Sequence, residues 1–60
     1  MAFFEIYRDE GGEYRWRMKT RNGRIVAVSG ESYKTRLGAS KAARNVWRLA
    51  NSSPPDYRQE

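Results

Sequence analysis

GEYRWRMKTRNGRIVAVSGESY, residues 12–33, sets the architecture of this chain. From Glu13 to Arg21 the residues alternate strictly. Tyr14, Trp16, Met18 and Thr20 share one face; Glu13, Arg15, Arg17, Lys19 and Arg21 share the other. A period of two marks a half-buried strand, because successive side chains leave a strand on opposite sides. Asn22-Gly23 follows, a strong short-range hairpin signal that predicts a two-residue type I′ turn. Arg24 to Ser29 is then the returning strand. Such a turn sets Arg21 against Arg24, Thr20 against Ile25, Lys19 against Val26, Met18 against Ala27 and Arg17 against Val28. Ile25 and Ala27 thereby join the Trp16–Met18 face, and Val26 and Val28 fall among the cations. Two valines there suggest that the charged face is partly covered.

Toward the N-terminus, Phe3 to Arg8 is rich in aromatic and β-branched residues and reads as a further strand. A three-residue turn at Glu10–Gly12 sets Phe4 and Ile6 opposite Met18 and Trp16. A turn of even length would instead bury Glu5 with no partner, which is costly. The first register also carries Phe3 and Tyr7 to the face that holds Val26 and Val28. Toward the C-terminus, Ser29 to Tyr33 leaves the sheet through Gly30. Thr35 is a helix N-cap, with Ser40 as the alternative, and Arg36 to Ala50 is the helix. Ala39, Ala42, Ala43, Val46, Leu49 and Ala50 form its apolar stripe, with Trp47 at the edge and Lys41, Arg44 and Arg48 opposite. The expected fold class is α+β: a three-stranded antiparallel sheet followed by one helix, β-β-β-α, over residues 1–50. Residues 51–60 are expected to form a polar, flexible tail in which Pro54-Pro55 stops the helix.

Sixty residues bury only about 60% of the surface that the unfolded chain exposes, and scaffolds of this size usually need a staple. The chain has no Cys and no His. Disulfides, thiolate chemistry, and the commonest metal ligand and general base are thus excluded. Self-association is the remaining staple. The apolar start before Glu5 is too short for a signal peptide, and no run reaches the roughly 18 apolar residues of a membrane span. A cytoplasmic protein without membrane partners is expected.

The net charge is +5. Between Tyr14 and Arg48 stand ten Lys or Arg against one acid, Glu31. A basic middle of this kind favours polyanions such as nucleic acid. Arg15, Arg17, Lys19, Arg21 and Arg24 form its candidate strip on the hairpin. A sheet of this outline also resembles the plant ethylene-response-factor and integrase arm-binding domains, which lay strands in the major groove. The competing reading is a solvated or dimer-facing surface whose charges guard against edge pairing. Phe3, Tyr7, Val26, Val28 and Trp47 are the candidate dimer interface.

No catalytic, cofactor-binding or metal-binding set emerges, and no small-molecule substrate is evident. Glu31 beside Ser29 lacks the third group that a nucleophile–base pair requires, and turn stabilisation or a salt bridge suits it better. Glu5, Asp9, Glu10 and Glu13 lack ligand spacing and read as ordinary turn acidity. The glycines fit no phosphate loop. Trp16, on the helix-facing side, reads as core.

Phe4, Ile6, Tyr7, Asp9, Gly12 through Arg17, Lys19, Asn22, Gly23, Ala27, Ser29 through Glu31 and Tyr33 together resemble the YegP-like family of small bacterial and archaeal proteins. The specific part is GEYRWR joined to SGExY across an NG turn. The likeness covers about fifty residues. It implies a ββ-β-α unit that occurs as tandem repeats or single copies, with single-copy members pairing as intertwined homodimers. It implies no activity. Ala43, Arg44 and Trp47 depart from the family's helix pattern and leave this helix more basic.

Overall fold

The computed structural model describes residues 2–52 and 56–58. Three strands, β1 (Ala2–Arg8), β2 (Tyr14–Thr20) and β3 (Ile25–Val28), precede one helix, α1 (Arg36–Ser52). The sheet is antiparallel with order β1-β2-β3, so β1 and β3 are both edge strands. The expected β-β-β-α order and α+β class are therefore observed. The Pro54-Pro55 stop lies outside the described residues.

Both hairpins close by the same device. Asp9 N–H donates to the Glu13 carbonyl (2.7 Å) and Gly12 N–H to the Asp9 carbonyl (3.1 Å). In the second turn, Thr20 N–H donates to the Arg24 carbonyl (2.8 Å) and Gly23 N–H to the Thr20 carbonyl (2.9 Å). Gly12 and Gly23 take φ of +84° and +89°, and no other described residue has positive φ. These are three-residue loops, each a turn followed by a left-handed glycine. A side chain locks each one: Asp9 Oδ1 accepts from Glu13 N–H (3.0 Å), and Thr20 Oγ1 accepts from Arg24 N–H (3.2 Å).

The first turn matches the sequence reading, and Phe4 and Ile6 pair with Met18 and Trp16. The second corrects it. A type I′ turn needs positive φ at Asn22 as well, and Asn22 does not adopt it. Arg21 joins Asn22 and Gly23 in the loop, so Lys19 pairs with Ile25 instead of Val26. A bulge between Met18 and Lys19 then restores the expected Met18–Ala27 and Arg17–Val28 pairs. Cross-strand partners share a face. Ile25 therefore leaves the Trp16 face and is 50% exposed.

Beyond β3 the chain returns once more to β2. Tyr14 and Tyr33 exchange both backbone hydrogen bonds at 2.7 Å. Thr35 is the helix cap: its Oγ1 accepts from Gly38 N–H (2.9 Å) and its carbonyl from Ala39 N–H (3.2 Å). At the other end α1 runs two residues past Ala50. Asn51 Nδ2 donates to the Trp47 carbonyl (2.7 Å) and Ser52 Oγ to the Leu49 carbonyl (3.1 Å), occupying acceptors left open in the last turns.

The buried apolar core among the described residues is Trp16, Ala39 and Ala43. Phe4 meets Trp16 edge-on, with ring centroids 5.4 Å apart and planes at 80°. Alanine at 39 and 43 brings the helix backbone close to Trp16. Ala42 is half-buried, but the C-terminal part of the expected stripe is not covered: Val46 is 41% exposed, Leu49 65%, and Ala50 is exposed as well. α1 contacts β1 and β2 but, among the described residues, not β3. Its first half covers the sheet's apolar strip, and Val46, Trp47 and Leu49 in its later turns stay exposed.

Candidate functional site

The open face of the sheet carries the hairpin strip. Pairing sets Glu5 directly opposite Arg17. Glu5 Oε1 lies 2.5 Å from Arg17 Nε and 3.5 Å from Lys19 Nζ. Asp9 Oδ2 lies 2.9 Å from Arg15 Nε. The Arg17 guanidinium also sits over the Tyr7 ring, 4.3 Å from its centroid. Three of the five candidate phosphate contacts, Arg15, Arg17 and Lys19, are therefore matched by carboxylates that are distant in sequence and adjacent in the sheet. Arg21 and Arg24 stand exposed at the turn.

These contacts shift the acids. The hydrogen bond from Arg17, helped by the charges of Arg17 and Lys19, holds the Glu5 carboxyl below its ordinary value of 4.5 against a smaller opposing effect of burial. The Arg15 hydrogen bond, followed by that from the Glu13 backbone, does the same for Asp9 below 3.8. The acids considered as a metal cluster are thus drawn apart. Glu5 and Asp9 serve the sheet cations, and Glu13 accepts from the Ser32 hydroxyl. Glu31 is exposed, and it is Glu13 that bonds its neighbour Ser32.

Ser29 is the one buried polar residue among those described, at 4% exposure. Its N–H donates to the Trp16 carbonyl (2.8 Å), and its Oγ accepts from the Trp16 N–H (3.3 Å). β3 ends here, so a side chain supplies the acceptor that the ladder no longer provides. The serine of SGExY is a sheet terminator held against backbone.

The proposed interface residues do not form one patch. Phe3 (48%), Val26 (49%) and Val28 (58%) are exposed on β1 and β3, flanking the cation row, while Tyr7 lies half-buried under Arg17. Trp47, 59% exposed, stands on the helix instead. There it borders an open groove of about 280 Å³ between β1 and α1, lined by Phe4, Ile6, Ser40, Ala43, Arg44 and Trp47. This groove was not foreseen from the sequence; it opens between β1 and the helix side that carries Ser40, Ala43, Arg44 and Trp47. Its signal was the string of small residues at 39, 40, 42 and 43 followed by a tryptophan.

The fold and surface describe a small β-β-β-α unit with an open sheet face, an open strand edge and a half-covered helix. Residues 9–54 match the family described as "Domain of unknown function (DUF1508)", and the chain belongs to that family. A UPF0339 protein of Methanosarcina acetivorans is 50% identical over 46 residues, covering 77% of this chain and 78% of the relative. A UPF0339 protein from the 5′ region of the ptx operon of Stutzerimonas stutzeri is 39% identical over 95% of this chain. The match spans only 48% of that longer relative. The solution structure of a protein from Haloferax volcanii superimposes with a TM-score of 0.84 at 36% identity, covering 98% of this chain and 95% of the other. One from Agrobacterium tumefaciens gives 0.71 at 39% identity, covering 98% and 90%. The expected YegP-like membership and fold are thereby established. No described helix is long and apolar enough to cross a membrane.

Proposed function

We propose that this chain acts as a homodimeric interaction module without catalytic activity, and that the free edge of β1 receives a second copy. The observation that carries this reading is the disproportion between core and surface. Among the described residues three apolar side chains are buried, while Phe3, Ile25, Val26, Val28, Leu37, Val46, Trp47 and Leu49 are each at least 41% exposed. A domain this small with so little interior gains most from a partner's apolar surface.

The two sheet edges differ in what they offer. β3 is short and bulged, both features that blunt an edge. β1 pairs in continuous register over seven residues and contains no Pro or Gly. Hydrogen bonding alternates along an antiparallel strand. Since Asp9 N–H points at β2, the N–H groups of Phe4, Ile6 and Arg8 point outward. An antiparallel second β1 satisfies them, and the groove beside Phe4 and Ile6 then lies at the junction, with Trp47 on its rim. The absence of catalysis is supported by the chemistry on hand. The chain has no His or Cys, Ser29 Oγ is engaged by backbone, and Glu5 and Asp9 are engaged by cations.

Sedimentation equilibrium at micromolar concentration tests the assembly. A mass of twice 7.0 kDa is expected, and Trp47→Lys, at an exposed position, should weaken the dimer while the helical circular dichroism persists. A folded wild-type monomer at about 100 µM would overturn the reading, since a dimer worth the name has a Kd below that.

A further inference from the structure

α1 contains no acidic residue and four cations, Arg36, Lys41, Arg44 and Arg48. Arg36 leans over the Tyr14 ring, 5.1 Å from its centroid. The other three are exposed. At about 100° per residue they fall within about 60° of one another on the side opposite Ala39 and Ala43, and Lys41 and Arg48 lie about 10 Å apart along the axis. This stripe differs from the hairpin strip in one decisive respect. Arg15, Arg17 and Lys19 face carboxylates, which leaves only Arg21 and Arg24 at the turn of that strip without an ion pair, whereas no ion pair involving Lys41, Arg44 or Arg48 occurs among the described residues.

We propose that the outward cation stripe of α1, Lys41–Arg44–Arg48, binds the phosphate backbone of double-stranded DNA without reading its sequence. Charge complementarity selects a polyanion, and the arrangement selects among polyanions. An anionic membrane would need the exposed apolar side chains to insert together beside the cations. Trp47 and Leu49 instead lie about 160° apart around the helix, on opposite flanks, and Leu37 alone stands within the stripe. A single strand would need an aromatic platform beside the cations on which its bases could stack. Trp47 lies about 100° or more around the helix from Arg48 and Lys41, in the groove with Phe4 and Ile6, and only Arg44 of the stripe borders that groove as well. What remains on the outward side is a row of point charges, which suits phosphates spaced along a duplex. The stripe needs no second copy, and Lys41 and Arg48 lie clear of the groove that the dimer would close, which only Arg44 borders.

Fluorescence anisotropy of a labelled 20-base-pair duplex, read from 50 to 200 mM salt, tests it. Three phosphate contacts give a slope of log K against log salt of about −2.7, or a roughly 40-fold loss of affinity over that range. Each of Lys41→Gln, Arg44→Gln and Arg48→Gln should reduce the slope by about a third, leaving a roughly 12-fold loss for a single variant. Gln is a good helix former, and helical circular dichroism checks that each variant is folded. Lys41 and Arg48 do not line the groove, so their loss separates DNA binding from dimer assembly. The proposal is overturned if no binding occurs at 50 mM salt, or if the slope is unchanged in the helix variants and falls in Arg15→Gln or Arg17→Gln. It is equally overturned if phosphatidylserine vesicles compete the duplex off at lower phosphate concentration than unlabelled duplex does.

Discussion

Replacing Ser29 with Ala should destabilise the protein by about 1–3 kcal/mol through a single hydrogen bond. Ser29 is 4% exposed, and its Oγ accepts from the Trp16 N–H at 3.3 Å. Alanine fills nearly the same space, so no cavity term enters. The deleted oxygen leaves a buried backbone donor without a partner, and the penalty is the desolvation of that donor. A 60-residue domain has a total stability of about 3–9 kcal/mol, so the expected loss is a large fraction of it. It corresponds to a drop in Tm of roughly 4–8 °C for each kcal/mol. Urea denaturation at one fixed protein concentration is the appropriate assay, because a dimer's apparent stability moves with concentration. Ser32→Ala is the internal comparison. Its hydroxyl bonds to Glu13 in a half-buried site that water reaches, and its loss should cost under about 0.5 kcal/mol. Equal midpoints for the two variants would show that the Ser29 hydroxyl does not hold the Trp16 N–H and would free Ser29 for a role other than ending the sheet.

Gly23→Ala should cost about 1–2 kcal/mol in the same denaturation assay. Nothing lies within 4 Å of the added Cβ, so the whole cost is the left-handed φ. Gly23→Asn should recover part of it, and an unchanged Gly23→Ala would contradict the three-residue loop. Thr35→Ala should cost about 1 kcal/mol, measured by thermal melting, and Ser40→Ala much less, because only Thr35 caps α1. Acid should destabilise the fold in a defined window. Glu5 and Asp9 have lowered folded values, so their contribution is full above about pH 5. It declines as pH falls through 4.5 and 3.8 and on through the lower folded values. Glu5→Gln and Asp9→Asn should each flatten that decline in melts recorded from pH 6 to pH 2. A slope unchanged in both variants would place the linkage elsewhere.

The sheet was legible because its signals are local. The alternation of Glu13 to Arg21 and the need to keep Glu5 out of the core together give the observed β1–β2 register. The β2–β3 turn was misread for a specific reason. Asn-Gly suits a type I′ turn, yet Thr20 and Arg24 offer a competing closure in which a side-chain oxygen replaces a ladder bond. Asp9 and Glu13 use the same closure one hairpin earlier, so the Thr-x-x-Gly-Arg and Asp-x-x-Gly-Glu spacings were the signal available. The neutralised character of the hairpin strip was harder to see. Counted along the chain, Glu5 and Asp9 lie outside the basic window; only strand pairing brings them to Arg17 and Arg15. The exposed half of α1 was not legible at all, because periodicity identifies an apolar stripe without saying whether its own sheet is wide enough to cover it.

Amide hydrogen exchange on β1, followed residue by residue by NMR, tests the homodimer most directly. Phe3, Glu5 and Tyr7 N–H groups point at β2 and should be protected at any concentration. Phe4, Ile6 and Arg8, whose N–H groups point away from β2, should be protected as strongly at about 100 µM and lose that protection on dilution toward the dimer Kd. Rapid exchange at Phe4, Ile6 and Arg8 at every concentration, with their neighbours still protected, would leave the β1 edge bare and contradict it.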